Sequence, residues 1–394
     1  MKKIGFVTPW YGETISGGAE AELRNLVHQL LQSGMKVEIL TTCVQCFASD
    51  WNMDFHPAGW TEEAGVPVHR FPVRRRDTAA FDQVNYKLIH AQPVTDEEEA
   101  VFCREMVNSP ELEQYLRDQA GDYAVFVFIP YMFGTTWAGV QIHPEKSVMI
   151  PCLHDESYAH MRIFREPFSR VRGMVFLSEP ERLLARRLYG VEGENYRTLG
   201  GGLDTDWSYD PERFRRKYGI REPFILYAGR KDTGKKVDVL VRYFAAYKKR
   251  HHDALKLVLI GGGNVELQDR ENILDLGFVD IQDKYDAYGA AAFFCNPSQM
   301  ESFSLVLMES WLAERPVLVN GACAVTRDFV CRTDGGLYYE NYAQFEKCVE
   351  YLTSHPAETE IMGRNGREYV LGHFSWKVIV EKYRDFLERL GAET

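Results

Sequence analysis

Residues 2–42 read KKIGFVTPWYGETISGGAEAELRNLVHQLLQSGMKVEILTT, and the order of patterns in this stretch decides the fold class. KKIGFVTPW (2–10) is a short apolar run of strand type. A loop through Ser16-Gly17-Gly18 follows, and AEAELRNLVHQLLQSG (19–34) then places Leu23, Leu26, Val27, Leu30 and Leu31 at helical spacing. Gly34 is a natural helix stop, after which MKVEILTT (35–42) resumes strand character. Strand, helix and strand in this order form a βαβ unit, the building block of a parallel sheet with crossover helices. The runs VPVHRFPV, YAVFVFI, KSVMIPCL and GMVFLS continue the series through Ser178 and complete one doubly wound domain.

The chain loosens at LGGGLDTDWSYDPERF (199–214), where a glycine run and a turn precede a new helix start. A second α/β series follows: FILYAG, a helix through VDVLVRYFAAYKKR, LKLVLIGGG, ILDLGFV, AAFFCNPS, a helix from about Leu305, and RPVLVNG. The last segment, SWKVIVEKYRDFLERL, is amphipathic. The expectation is an α/β chain of two Rossmann-like doubly wound domains facing each other across a cleft. The boundaries expected are 1–200 and 201–374, followed by a terminal helix over 375–394.

Composition narrows the function classes. The 394 residues suit two domains, and 45% hydrophobic residues suffice for ordinary cores. Lys plus Arg is 46 and Asp plus Glu is 57, a net charge of −11. An acidic chain is a poor generic nucleic-acid binder, so no nucleic-acid partner is expected. No apolar run reaches the length of a membrane helix, and the opening run breaks at Thr8-Pro9, too early for a signal peptide. A cytoplasmic protein with reduced cysteines is expected. The run Arg74-Arg75-Arg76 reads as a solvated loop, and it is also compatible with an anionic acceptor or peripheral contact at the inner face of a membrane.

Four crest segments carry candidate chemistry. GRKDTGKK (229–236) has P-loop spacing, but Lys236 stands where a magnesium-binding hydroxyl is needed. Arg230 and Lys235 remain as two cations at a strand's end. ESFSLVLME places Glu301 and Glu309 eight apart, the second on an apolar helix where a ligand hydroxyl or water must satisfy it. Ser302 or Ser304 caps that helix, and amides at Phe303, Ser304 and Leu305 offer an anion site. Gly17 and Gly18 let backbone approach a phosphate or sugar closely, or serve helix–strand packing. His154, after KSVMIPCL, either positions a sugar hydroxyl or is an ordinary loop histidine. Asp204-Thr-Asp206 is a short acidic pattern of the kind that holds a metal, but it lies in the linker, and no metal site is expected.

Taken in order, these segments resemble the retaining GT-B glycosyltransferases of family 4, the glycosyl transferases group 1 set. SGGAE, GLD (202–204), YAGRKDTGKKVDVL, LVLIGGG, LGFV, PSQMESFSLVLMES and RPVLVNG carry the likeness. Departures are Gly201 for Asn, Lys236 for Gly, Ser-Phe-Ser for Gly-Phe-Gly, and a missing glycine pair after Asn320. The resemblance implies a hexosyltransferase that uses a nucleotide-sugar as substrate, needs no metal or other cofactor and retains anomeric configuration. UDP-sugar is favoured and GDP-mannose is second. Arg230, Lys235, Glu301 and His154 are implied as catalytic. Gly17, Gly18, Gly229, Gly262, Phe278, Val279, Ser302, Phe303, Ser304, Leu305 and Glu309 are implied as donor-binding, with Glu309 on the ribose and Glu301 on the sugar. The terminal helix is implied to pack back on the first domain. The acceptor is expected to be a glycan, a lipid-linked molecule or, alternatively, a small molecule. A P-loop-like ATPase or kinase and a non-catalytic two-domain binding protein stay open beside this reading.

Overall fold

The computed structural model describes residues 2–15 and 17–392; Ser16 of the first glycine loop and the last two residues of the expected terminal helix lie outside them. The chain divides into two compact units. One runs to Gly202 and includes the chain from Trp376 onward; the other is Leu203–Ser375.

The first unit holds β1 (Lys3–Thr8), β2 (Val37–Thr42), β3 (Gly59–Glu63), β4 (Val66–Phe71), β5 (Tyr123–Phe128), β6 (Ser147–Met149), β7 (Gly173–Phe176) and β8 (Tyr196–Thr198). Their order is β3-β4-β2-β1-β5-β6-β7-β8, parallel except for the β3–β4 hairpin. Central strands of a parallel sheet are covered on both faces, so they are apolar without alternation. YAVFVF in β5 is buried at all six positions for this reason. β3 (GWTEE) is a largely exposed edge strand with no apolar run, and the sequence reading does not contain it. The buried Arg70 guanidinium ties it down through Glu63 and through Thr61 Oγ1 at 2.8 Å. The helix Trp376–Ala392 packs within this unit, with the Trp376 ring against Gly202 and Arg389 donating to Asn195 at 2.9 Å.

The second unit holds β9 (Phe224–Ala228), β10 (Lys256–Ile260), β11 (Ile273–Asp275), β12 (Phe293–Asn296), β13 (Val317–Asn320) and β14 (Gly336–Tyr339). They form an all-parallel sheet in the order β11-β10-β9-β12-β13-β14. One core cluster under this sheet joins Ile225, Leu240, Phe244, Leu257, Leu318 and Phe345. The direction of strand addition reverses between β9 and β12, which opens a crevice at their C-terminal ends, the place where open α/β sheets take ligands. Both units are thus Rossmann-like parallel-sheet domains. Among the described residues no helix is long and apolar enough to cross a membrane.

Candidate functional site

The loops leaving β9 and β12 carry the expected cations and carboxylates. Lys235 Nζ, on the first loop, donates to Glu301 Oε1 on the second at 2.8 Å. The two side chains are 30% and 13% exposed, so the pair is shielded yet reachable. Arg230 projects into solvent, 3.5 Å from Asp232, while its carbonyl accepts from Tyr227 Oη at 2.6 Å. Lys231, which the sequence reading passed over, is buried and ion-paired with Asp275, and its N–H donates to Gly262 O at 2.7 Å. That pair stitches the β9 loop to the ends of β10 and β11. Lys236 takes the left-handed conformation (φ 57°) at the start of the helix Val237–Arg250, a geometry that costs an ordinary L-residue and suits the glycine of the family pattern.

Gly262 and Phe278 also meet: a Cβ at Gly262 would lie 2.6 Å from the Phe278 ring. That ring is 86% exposed, and Val279 beside it is half-buried. Gly229 closes the same crest, its N–H donating to Ile260 O at 3.0 Å.

The turn from Glu301 into the helix Leu305–Leu312 differs from expectation. Neither Ser302 nor Ser304 caps the helix. Ser304 occupies the cap position at φ 76°, and this backbone twist turns its hydroxyl away to Asn296 Nδ2 at 3.0 Å. Phe303 is buried, its ring 4.9 Å from Phe374 and 5.8 Å from Phe329, so its side chain anchors the turn in the core. Ser302 and Leu305 are half-buried at the turn's surface.

Glu309 is 9% exposed, and the protein itself satisfies it. Lys284 Nζ at 2.6 Å and Tyr285 Oη at 3.3 Å donate to Oε1, and Tyr288 Oη at 3.0 Å donates to Oε2. Neither water nor a ligand hydroxyl is required, contrary to the two options the sequence left. Burial and the nearby carboxylate push the Tyr288 hydroxyl far above its usual range. Lys284 and Tyr288 are one turn apart on the helix Ile281–Ala290, and that polar i,i+4 spacing was the available sequence signal.

Gly17, Gly18 and His154 belong to the first unit. Gly17 (φ 150°) precedes the helix Gly18–Gln32, and the Glu20 carboxylate lies against it, held by Trp10 Nε1 at 2.9 Å. The chain's own anion therefore sits at that helix end. His154 Nδ1 is 3.6 Å from Glu156 Oε1, which accepts from Tyr131 Oη at 2.9 Å. Behind it, the buried Glu181 accepts from the N–H groups of Leu153 and Leu177, each at 2.6 Å, and burial pushes its carboxyl up to about 7. Asp204 and Asp206 are exposed. Among the described residues, His251, Glu346 and Glu350 come within metal-ligand reach. Arg250 at 3.0 Å and Lys347 at 2.6 Å already pair those two carboxylates, so the cluster is balanced without an ion.

Residues 210–369, nearly the whole second unit, match the family described as glycosyl transferases group 1. The second unit belongs to this family. The glycosyl transferases group 1 match therefore contains Arg230, Lys235, Glu301 and Glu309, whereas Gly17, Gly18 and His154 fall outside it. Among curated proteins, the chain is 30% identical over 235 residues to D-inositol 3-phosphate glycosyltransferase of Kribbella flavida, covering 52% of this chain and 54% of that one. The chain thus spans about half the length of this curated relative. Among solved structures it resembles sucrose-phosphate synthase from Thermosynechococcus elongatus, with TM-score 0.73, 16% identity and full coverage of both chains. It also resembles Anabaena HepE in complex with UDP and glucose, with TM-score 0.67, 15% identity and 99% and 100% coverage. At these identities the structures speak to the fold, which is that of the GT-B glycosyltransferases.

Proposed function

We propose that the protein is a retaining, metal-independent glycosyltransferase. It moves a hexose from a UDP-sugar, with GDP-mannose as second choice, to a glycan or lipid-linked acceptor in cell-envelope or polysaccharide synthesis. The observation that carries this reading is the Lys235–Glu301 pair at the crevice between β9 and β12. Departure of a nucleoside diphosphate develops negative charge, and a positioned cation there lowers the barrier most. Lys235 and Arg230 neutralise the diphosphate, together with the amides that open the helix Leu305–Leu312. Glu301 accepts from the sugar hydroxyls. Glu309 receives the ribose hydroxyls, since a carboxylate has about four acceptor sites and three donors occupy part of them. The exposed Phe278 face against Gly262 suits a nucleobase. His154, with Glu156 beside it, is the sugar-hydroxyl contact offered by the first unit.

A lipid-linked acceptor is supported by Phe47, Met53 and Phe55, all exposed. Asn52 and Asp54, on the same loop, accept from the N–H groups of Arg76 and Val73 at 2.7 and 2.8 Å, which brings the loop beside the arginine run. Apolar side chains next to cations are what an anionic membrane surface attracts, and peripheral contact follows from it. A small soluble acceptor is the second reading, favoured by the name of the Kribbella relative, which acts on D-inositol 3-phosphate.

The test is a thermal-shift panel with UDP, GDP, ADP and ATP, each with and without EDTA. A ligand at 100 times its Kd stabilises by about 2.7 kcal/mol, a shift of several degrees. Stabilisation by UDP or GDP that survives EDTA supports the transferase. Stabilisation only by ATP with magnesium moves the assignment to a phosphate-loop enzyme.

A further inference from the structure

The arginine run 74–76 divides its work in a way that the donor site does not use. Arg76 lies over the rings of Trp51 and Phe81, 4.6 and 4.5 Å from their centroids, and is structural. Arg75 is exposed. Arg74 instead lines a cavity of about 670 Å³ in the first unit, within the size range of small-molecule sites. Its walls come from the helices Asp96–Glu105, Pro110–Gln119 and Gly134–Gly139 and the turn after the last of them. None of its lining residues lies in the segments that carry Gly17, Gly18 or His154.

The lining is cationic although the chain is acidic. Arg74, Arg104 and Arg117 face one carboxylate in the wall, Glu113, with Glu105 just outside it. Arg104 and Arg117 are 61% and 48% exposed, and their partners are near neighbours in sequence: Glu105 at 2.8 Å and Glu113 at 3.1 Å. The Arg117–Glu113 pair is of the exposed kind that holds weakly. Glu105 is only 8% exposed, but Arg74 at 3.3 Å and the Asp77 N–H at 2.9 Å also hold it, so Arg104 can turn to a ligand without leaving that carboxylate unpaired. Beside them Trp137, Ala138 and Ile142 provide an apolar wall, and Asn108 and Gln141 provide amides. Two of the lining residues keep a buried ring N atom without a protein partner among the described residues, Trp137 Nε1 and His143 Nε2.

The geometry points to a second ligand site on the first unit, one that binds a small phosphate monoester with a sugar-sized body. Guanidinium forks match phosphate oxygens two at a time, which a carboxylate-poor cavity with three arginines exploits. The cavity's size admits a phosphosugar whose ring rests on Trp137. No residue of the proposed donor site lines it, so a ligand here does not occupy the space of the nucleotide-sugar.

The experiment is calorimetry with glucose 6-phosphate, inorganic phosphate and glucose, on wild type and on Lys235→Ala, which weakens phosphate binding at the donor site. Wild type and Lys235→Ala are expected to bind glucose 6-phosphate equally and more tightly than inorganic phosphate, and glucose is expected not to bind. Arg104→Gln/Arg117→Gln is expected to weaken binding tenfold or more with an unchanged melting temperature, and wild-type affinity is expected to fall as salt rises. Full affinity in the double variant, loss of binding in Lys235→Ala, or absence of binding to wild type would each overturn the proposal.

Discussion

Lys235→Ala isolates the electrostatic part of the proposed chemistry. Its ammonium is 2.8 Å from Glu301 and only 30% exposed, so it acts in a medium less polar than water. A unit charge about 4 Å from a diphosphate oxygen is worth ~4 kcal/mol at an effective dielectric constant near 20. Removal of one well-placed donor from an anionic transition state costs about 2.7–4 kcal/mol, or roughly 10²–10³ in kcat. The stability cost is much smaller, because a partly exposed ion pair contributes about 0–1 kcal/mol. For a unit of this size that is no more than about 4 °C in Tm. Initial rates of UDP release across a donor titration, with scanning fluorimetry on the same samples, separate the two effects. The expected result is a kcat loss of about 10²–10³ with a nearly unchanged Tm. A variant that keeps wild-type kcat and folds normally would refute the placement of Lys235 on the leaving group. A large Tm loss would show that the Lys235–Glu301 pair is structural.

Two further outcomes follow from the first unit. Glu22 is fully buried, its one donor among the described residues is the Gly202 N–H at 3.4 Å, and burial raises its carboxyl from 4.5 to about 8. The folded state therefore holds an extra proton between these values, so the contribution of Glu22 to stability is full below 4.5 and is lost as pH rises toward 8. In denaturant titrations Glu22→Gln should match wild type at acid pH and exceed it at pH near 8; equal pH slopes in the two proteins would count against the buried proton. Gly202 has no room for a side chain, because a Cβ would overlap the Trp376 ring. Gly202→Ala should cost about 1–3 kcal/mol, as overpacked cores do. In a Trp376→Leu background the added cost should shrink, and an additive melting series would contradict the clash.

Much of the fold is legible in the chain because buried parallel strands must be apolar throughout. YAVFVFI, LKLVLI and RPVLVN show this, as does the first strand–helix–strand stretch. β3 and β8 are not legible, since short edge strands with exposed residues carry no such signature. At the site, residue types at strand ends reveal Arg230, Lys235, Glu301 and Glu309, yet not their partners. Lys231 looks like one more surface cation until Asp275 is seen beside it, 44 positions away. Ser304 looks like a helix cap until its φ of 76° turns the hydroxyl elsewhere.

Sequence alone therefore determined the α/β class, the two-part organisation and the residue types at the crest, because each rests on local pattern: strand-length apolar runs, helical spacing and glycine-rich turns. Tertiary structure decided which of those residues meet. Lys235 and Glu301 are 66 positions apart and touch only because β12 pairs with β9. Glu309 is buried yet satisfied only because the helix bearing Lys284 and Tyr288 packs against its own. Strand order and helix packing are set by the free energy of the whole core. No local run of residues encodes them.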